Sequence, residues 1–155
     1  MYNDGTFTMK GGNIIGNTAT IHGGGVCVVA QPFNLSGGTI SENKAASDGG
    51  GVYVYYGPFN VSGTPVIKGN TLSDGTTANN VSLQDDSALS VVAVLHLVDE
   101  LTGGEIWITK VGSSNLSPGE KFGEATASGN GAEHFVADVK GADPLVGSIS
   151  GTDLI

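Results

Sequence analysis

The chain has 155 residues, of which 39% are hydrophobic and 14% charged, with 26 glycines, one cysteine, six lysines and a net charge of −9. A chain of this length buries about two thirds of its unfolded surface, and its apolar content excludes a disordered acidic tail. The lysines are scattered singly along an acidic chain, which excludes nucleic acid and anionic membrane as partners. The glycines follow no Gly-X-Y period, which excludes collagen, and the lone cysteine excludes an intramolecular disulfide.

The chain contains three successive units of similar sequence, residues 5–31, 32–57 and 58–86. The spacing between matching residues of the first two units is 26, and the third unit carries one extra residue near Pro65. Fixed-period self-similarity of this kind predicts a solenoid. The matching sets are Phe7, Phe33 and Phe59; Ile14, Ile40 and Ile67; and Asn17, Asn43 and Asn70.

Each unit divides into three short strand-like runs with turn residues between them. In the second unit the runs are residues 33–35, 39–41 and 52–55, and Gly37-Gly38 is expected to break the first run from the second. Residues alternate within each run, so one face points inward and the other outward. The sequence therefore predicts an all-β fold, a right-handed parallel β-helix with about 26 residues per three-strand coil.

Stacking of coils places like residues over like, about 4.8 Å apart. The phenylalanines and the isoleucines are then expected to form internal rows, and the three asparagines an amide ladder along one corner. We assign all three sets to the construction of the core and the turns, and not to a ligand site.

After residue 86 the pattern changes. Residues 87–110 are interpreted as a fourth, irregular coil, with an apolar run at 89–98 that is too short to span a bilayer. Residues 111–155 are predicted to be an irregular C-terminal cap of short strands, with one short helix at 132–139. Solenoid ends are usually atypical in this way, because an open coil exposes a sheet edge.

The N-terminal coil has no such cap. Its exposed edge is therefore a candidate for self-association. Residues 2–5 read as the tail of an earlier coil, and we expect the chain to be a piece of a longer protein from which any targeting segment has been removed.

The repeat wording is similar to that of a known group of surface proteins. The pattern Phe-Xaa-Xaa-Xaa-Gly-Gly-Xaa-Ile-Xaa-Xaa-Asn, followed by Gly-Gly-Gly-Val-Xaa-Val, resembles β-helix repeats of adhesin-like proteins of gut bacteria and methanogens, and of chlamydial polymorphic outer-membrane proteins. Residues 62–70, 79–81 and 101–104 resemble the segment that ends such arrays, so the likeness covers residues 1 to about 110. It implies an extracellular, cell-surface stalk or binding surface whose partners are host or community glycans or surface proteins.

Carbohydrate-active chemistry is the alternative, since parallel β-helices often carry it. A polysaccharide lyase needs a strong cation, usually arginine, and the sequence has none. A hydrolase needs two carboxylates about 5 to 9.5 Å apart. The adjacent pairs Asp85-Asp86 and Asp99-Glu100 are expected to lie in turns, where acidic residues are ordinary. We therefore predict a non-enzymatic protein without a cofactor.

Two weaker site hypotheses remain. Tyr53 and Tyr55 are predicted to face outward on one flat sheet with Tyr56 beside them, where exposed aromatic rings stack on sugars. Asp85 and Asp86 are the only candidates for a calcium ion. The three histidines are far apart and share no metal-ligand spacing. A carbohydrate-binding or carbohydrate-active β-helix module thus stays open beside the stalk.

Overall fold

The computed structural model describes residues 2–3, 5–86, 91–93, 95–111, 114–115, 123–125, 130–137, 145–146, 149–150 and 153–155. In these residues parallel strands stack as a β-solenoid of about four turns. The predicted all-β, stacked-coil fold is confirmed. Over the same residues, no helix is long and apolar enough to cross a bilayer.

The first described strand precedes the first full coil. It is β1 (Tyr2–Asn3), and the coil that follows contains β2 (Phe7–Met9), β3 (Asn13–Ile15), β4 (Thr18–Ala19) and β5 (Val26–Val28). β1 pairs in parallel with β5, with Tyr2 opposite Cys27. Residues 2–3 therefore lie one coil step ahead of β5, as predicted for the tail of an earlier coil.

The second and third coils repeat this arrangement. The second contains β6 (Phe33–Ser41), β7 (Lys44–Ala45) and β8 (Val52–Val54), and the third β9 (Phe59–Ile67), β10 (Thr71–Leu72) and β11 (Val81–Leu83). Parallel pairing links β2 and β3 to β6, and β6 to β9. Separate parallel ladders join β4, β7 and β10 at a corner, and β5, β8 and β11 on the third face.

Gly37 and Gly38 do not break the strand, contrary to the prediction. β6 runs through both residues, and only its register with β9 shifts between Leu35 and Gly37. Gly38 has a φ of 96°, in the left-handed region that glycine adopts without a Cβ penalty. The chain thus turns between two faces of the solenoid while its ladder continues.

The fourth coil is built differently. A short antiparallel pair, β12 (Asp85–Asp86) and β13 (Val91–Val92), precedes the two long strands β14 (Leu95–Leu101) and β15 (Glu105–Val111). β14 stacks on the start of β9, while β15 stacks first on the end of β9 and then on β11. The single strand β15 therefore lies on two faces of the solenoid. At the corner between these faces, where the third coil has β10, the fourth coil has no separate described strand.

Parallel stacking extends past residue 110, where the sequence repeat has ended. Three short strands follow: β16 (Ser114–Asn115), β17 (Gly123–Ala125) and β18 (Phe135–Ala137). Of these, β17 stacks in parallel on β14, and β18 stacks in parallel on β15. The short strands β19 (Leu145–Val146), β20 (Ile149–Ser150) and β21 (Asp153–Leu154) then pair antiparallel, β19 with β18 and β21 with both β17 and β20. Because their direction is reversed, these strands end the parallel stack.

The short helix predicted within 132–139 is present as a single turn and is followed by a strand. Only Ala132–His134 is helical, as one 3-10 turn, and residues 135–137 form β18. Phe135 is buried and lies opposite Ile106, so tertiary stacking on β15 overrides the local helical pattern. Residues 138 and 139 lie outside the described part of the chain.

The core consists of in-register rows. The Phe7 and Phe33 rings stack with centroids 5.1 Å apart and planes 10° apart, and the Phe33 and Phe59 rings stack at 5.1 Å and 2°. Leu95 continues this row opposite Phe59. A second row contains Ile14, Ile40, Ile67, Ile106 and Phe135.

Candidate functional site

The repeat asparagines form a ladder along the corner next to β4, β7 and β10. Asn17 donates its backbone N–H and its Nδ2 to the Oδ1 of Asn43, at 2.9 and 3.0 Å. Asn43 donates in the same way to the Oδ1 of Asn70, at 3.1 and 3.0 Å. Both Asn43 and Asn70 are buried, so the ladder satisfies polar groups that water cannot reach. The arrangement locks coil to coil and offers no ligand site.

The ladder continues through residues that the repeat did not indicate. Asn70 donates its N–H and Nδ2 to the Oδ1 of Asn80, only 10 residues later, at 2.8 and 2.9 Å. The N–H of Asn80 then donates to the Oγ1 of Thr109 at 2.6 Å. The neighbouring Asn79 accepts the N–H groups of Gly49 and Gly50 at 2.6 and 3.2 Å. The adjacent asparagines Asn79 and Asn80 are the sequence feature that could have indicated this continuation of the ladder, but they fall outside the 26-residue period.

A second polar ladder runs along the outside of the first face. Asn60 Nδ2 donates to Asn34 Oδ1 at 2.7 Å, and Asn34 Nδ2 donates to Thr8 Oγ1 at 3.4 Å. The register of the strands places His96 and then Glu124 next in this outward row. These amides bond mainly to one another, which stiffens the face.

An aromatic cluster of His22, Tyr53, Tyr55 and Tyr56 lies at the third face. The rings of His22 and Tyr53 stack with centroids 4.3 Å apart and planes 11° apart. Tyr53 and Tyr55 are 6.3 Å and 19° apart, and Tyr55 and Tyr56 are 3.8 Å and 45° apart. The three predicted tyrosines are therefore brought together, and His22 joins them although no sequence pattern indicated it.

Tyr53 is not the exposed ring that the sequence predicted. Only 7% of this residue is accessible, because His22 of the preceding coil covers its ring. Its hydroxyl group donates to the Oε1 of Gln84, in the following coil, at 2.9 Å. Burial, together with a smaller contribution from the nearby Asp48 carboxylate, raises the pKa of Tyr53 to about 12. Tyr53 therefore acts as a bridge between coils and is closed to a ligand.

Tyr55 and Tyr56 are the accessible part of the aromatic cluster. Tyr56 is 37% exposed and Tyr55 is half-buried against it. The two rings are tilted and do not form one flat platform. A sugar could rest on the Tyr56 ring, with Tyr55 holding that ring in place.

Cys27 lies opposite Tyr53 on the neighbouring coil, within the same face. It is a free thiol of intermediate exposure. Burial raises its pKa above the usual range for a thiol, so little thiolate forms near neutral pH. Its burial and raised pKa therefore indicate an inert thiol.

The acidic pairs lie in strands and not in the expected turns. Asp85-Asp86 forms β12, whose side chains lie outside the described part of the chain, and Asp99-Glu100 belongs to β14. Asp99 and Glu100 are both exposed, and the Glu100 N–H donates to Asp99 Oδ1 at 2.8 Å. Among the residues described, no three histidine, cysteine, aspartate or glutamate side chains are grouped so that they could hold a metal ion.

No family model matches this chain, and neither the curated proteins nor the solved structures include one that is detectably similar to it.

Proposed function

We propose that this chain is a non-enzymatic segment of a large cell-surface, adhesin-like protein, in which it serves as a rigid stalk or interaction surface. The observation that carries the proposal is the repetition of the same contacts between the first three coils. Phe33 stacks on Phe7 and Phe59 in nearly parallel planes, and the asparagine ladder crosses the same coils. A stalk needs such uniform contacts, because a column is only as stiff as its weakest step.

The physical basis of stiffness is the direction of the hydrogen bonds. In a stack of parallel strands the ladder bonds run along the solenoid axis, between coils. Bending the column stretches many of these bonds at once and also opens the packed internal rows. Solenoid stability is approximately a sum of coil terms and nearest-neighbour interfaces, so each well-packed interface adds to the whole.

Mechanical unfolding tests the stalk. The chain is placed between two reference domains and pulled in a single-molecule force experiment, with Asn43→Ala as the matched weakened variant. We expect the native chain to unfold at a higher force than its variant, in steps that correspond to coils. A native chain that extends at low force, without distinct steps, would remove the stalk proposal.

Two further experiments test the location and the lack of catalysis. Antibodies against the chain should label intact cells of the organism that produces it as strongly as permeabilised cells. Incubation with a panel of neutral and acidic polysaccharides should release no reducing ends and no unsaturated products. Labelling only after permeabilisation, or turnover of any polysaccharide, would contradict the corresponding part of the proposal.

Carbohydrate binding is the second candidate, supported by the accessible ring of Tyr56. A glycan array with and without calcium is the direct measurement. Binding of one sugar class that is lost in Tyr56→Ala would favour this candidate. Ile21→Ala is the control, because Ile21 is an exposed apolar side chain outside the aromatic cluster. Equal binding by both variants would exclude Tyr56 as the site.

A further inference from the structure

The N-terminal edge of the first coil is the least complete surface of the described solenoid. Among the described strands, β2 and β3 pair only with β6, and β4 pairs only with β7. On the third face, by contrast, β1 already lies ahead of β5. Phe7 and Ile14 are only partly buried, whereas their counterparts in the next coil are buried completely.

The backbone groups of β2 and β3 point alternately toward the second coil and toward the open edge. The Phe7 N–H donates to Pro32 O, and Gly12 O accepts the Thr39 N–H, so both residues bond toward the second coil. Successive amides of a strand point to opposite sides. The N–H groups of Thr8, Asn13 and Ile15 therefore point to the open edge, where no described strand pairs with them.

The asparagine ladder also ends here, and it ends with a defined polarity. Each ladder asparagine donates from its N–H and Nδ2 to the Oδ1 of the next, as Asn17 does to Asn43. Asn43 Oδ1 thus receives two donors from the coil before it. Asn17 Oδ1 receives none from the described residues, so the edge ends in an acceptor that a further asparagine would satisfy.

We propose that this edge is a docking surface for one kind of partner: a parallel β-helical coil of the same repeat. Such a coil would place an aromatic or large aliphatic side chain on Phe7 and an aliphatic one on Ile14. Its corner asparagine would donate to Asn17 Oδ1. The inference rests on the unfinished ladders of the first coil and not on the proposed adhesin role.

A second copy of the chain does not meet these requirements. If two first coils met face to face, the Oδ1 atoms of their Asn17 side chains would oppose each other as two acceptors. β1 lies one coil step ahead of β5, about 4.8 Å, and would hold the copies apart on that face. At the other end of the solenoid, the antiparallel strands β19 and β21 close β18 and β17. This disfavours the self-association that the open edge alone suggests.

A tandem duplication tests the proposal on the full chain. A second copy of residues 6–31 is inserted directly before Thr6, and amide hydrogen exchange is measured residue by residue. The N–H groups of Thr8, Asn13 and Ile15 in the original coil should exchange at least about tenfold more slowly than in the native chain. The matched control carries Phe7→Ala and Asn17→Ala in the added copy alone and should give much less protection.

Each outcome decides the question. Unchanged exchange at these three amides, while Val61 and Ile67 of the third coil remain protected, would overturn the proposal, because the solenoid would be folded and the added coil undocked. Equal protection by the control copy would overturn the role of the aromatic row and the asparagine ladder. Light scattering of the native chain should show a monomer, and a dimer that protects the same amides would assign the edge to a second copy.

Discussion

Asn43 directs both its backbone N–H and its side-chain amide to a single acceptor, the Oδ1 of Asn70, at 3.1 and 3.0 Å. Both residues are fully buried. A third bond, from Asn43 Nδ2 to Ile14 O at 2.8 Å, ties the same side chain back to the first coil. One side chain therefore connects three coils, and its removal should weaken the contacts between all three.

Asn43→Ala should lower the free energy of unfolding by about 2–4 kcal/mol, because the hydrogen bonds of this buried side chain to Asn17, Ile14 and Asn70 are lost together. Asn17→Ala is the control, since Asn17 has the same role at the exposed end of the ladder, and it should cost about 1 kcal/mol or less. Urea unfolding followed by circular dichroism measures both. Equal losses in the two variants would mean that burial does not set the strength of the ladder.

Gly24→Ala should destabilise the chain by about 1–3 kcal/mol, as overpacking does elsewhere. A Cβ at Gly24 would meet the carbonyl oxygens of Gly50 and Lys44, which are backbone atoms held by the coil stack. Gly11→Ala is the matched control, because nothing lies within 4 Å of its Cβ position, and its stability should change by no more than about 0.5 kcal/mol. Thermal unfolding of both variants gives the comparison. A tolerated Gly24→Ala would show that the glycine triplets are not packing constraints.

Tyr53→Phe should change how stability depends on alkaline pH. The pKa of Tyr53 rises from 10.0 to about 12 on folding, so between these values the folded chain holds a proton that the unfolded chain releases. The stabilisation from the neutral phenol is therefore complete below pH 10 and is lost as the pH rises through about 12.

The measurement for Tyr53 is urea unfolding of both proteins from pH 9 upward. At the lowest pH the native chain should be more stable than Tyr53→Phe by about 0.5–1.5 kcal/mol, the contribution of the hydrogen bond to Gln84. That advantage should shrink between pH 10 and 12. A difference that stays constant over this range would show that Tyr53 does not retain its proton on folding.

Cys27 should react slowly with thiol reagents in the folded chain. Burial raises the pKa of its thiol and so reduces the thiolate fraction that attacks the reagent. At pH 8 we expect reaction roughly tenfold slower than in the urea-unfolded chain, and a rate that rises steeply with alkaline pH. Equal rates in the folded and unfolded chains would contradict the inert thiol.

The later elements show where sequence reasoning stops. The pattern at 132–139 is locally helical, but Phe135 is drawn into the row of Ile106 and residues 135–137 become a strand. The apolar run at 89–98 has the pattern of a single strand. In the structure it contains β13, which pairs antiparallel with β12, and the start of a separate strand, β14. Phe135 is held by pairing with a distant strand, β15, and the 89–98 run is divided between a local antiparallel pair and β14, which pairs with the distant β9. Neither arrangement follows from the local pattern of residue types.

The solenoid and its internal rows follow from the repeat in the sequence. Spacing translates directly into contact in a parallel stack, because residues one period apart lie one strand spacing apart, as Phe7, Phe33 and Phe59 do. The accessibility of the outward residues, by contrast, depends on contacts between coils that the repeat does not specify. Tyr53 has an outward position in the alternation, but His22 and Gln84, each 31 residues away, cover its ring and bind its hydroxyl group. Those contacts join residues 31 positions apart and not the 26 of the repeat, so the period of the sequence does not predict them.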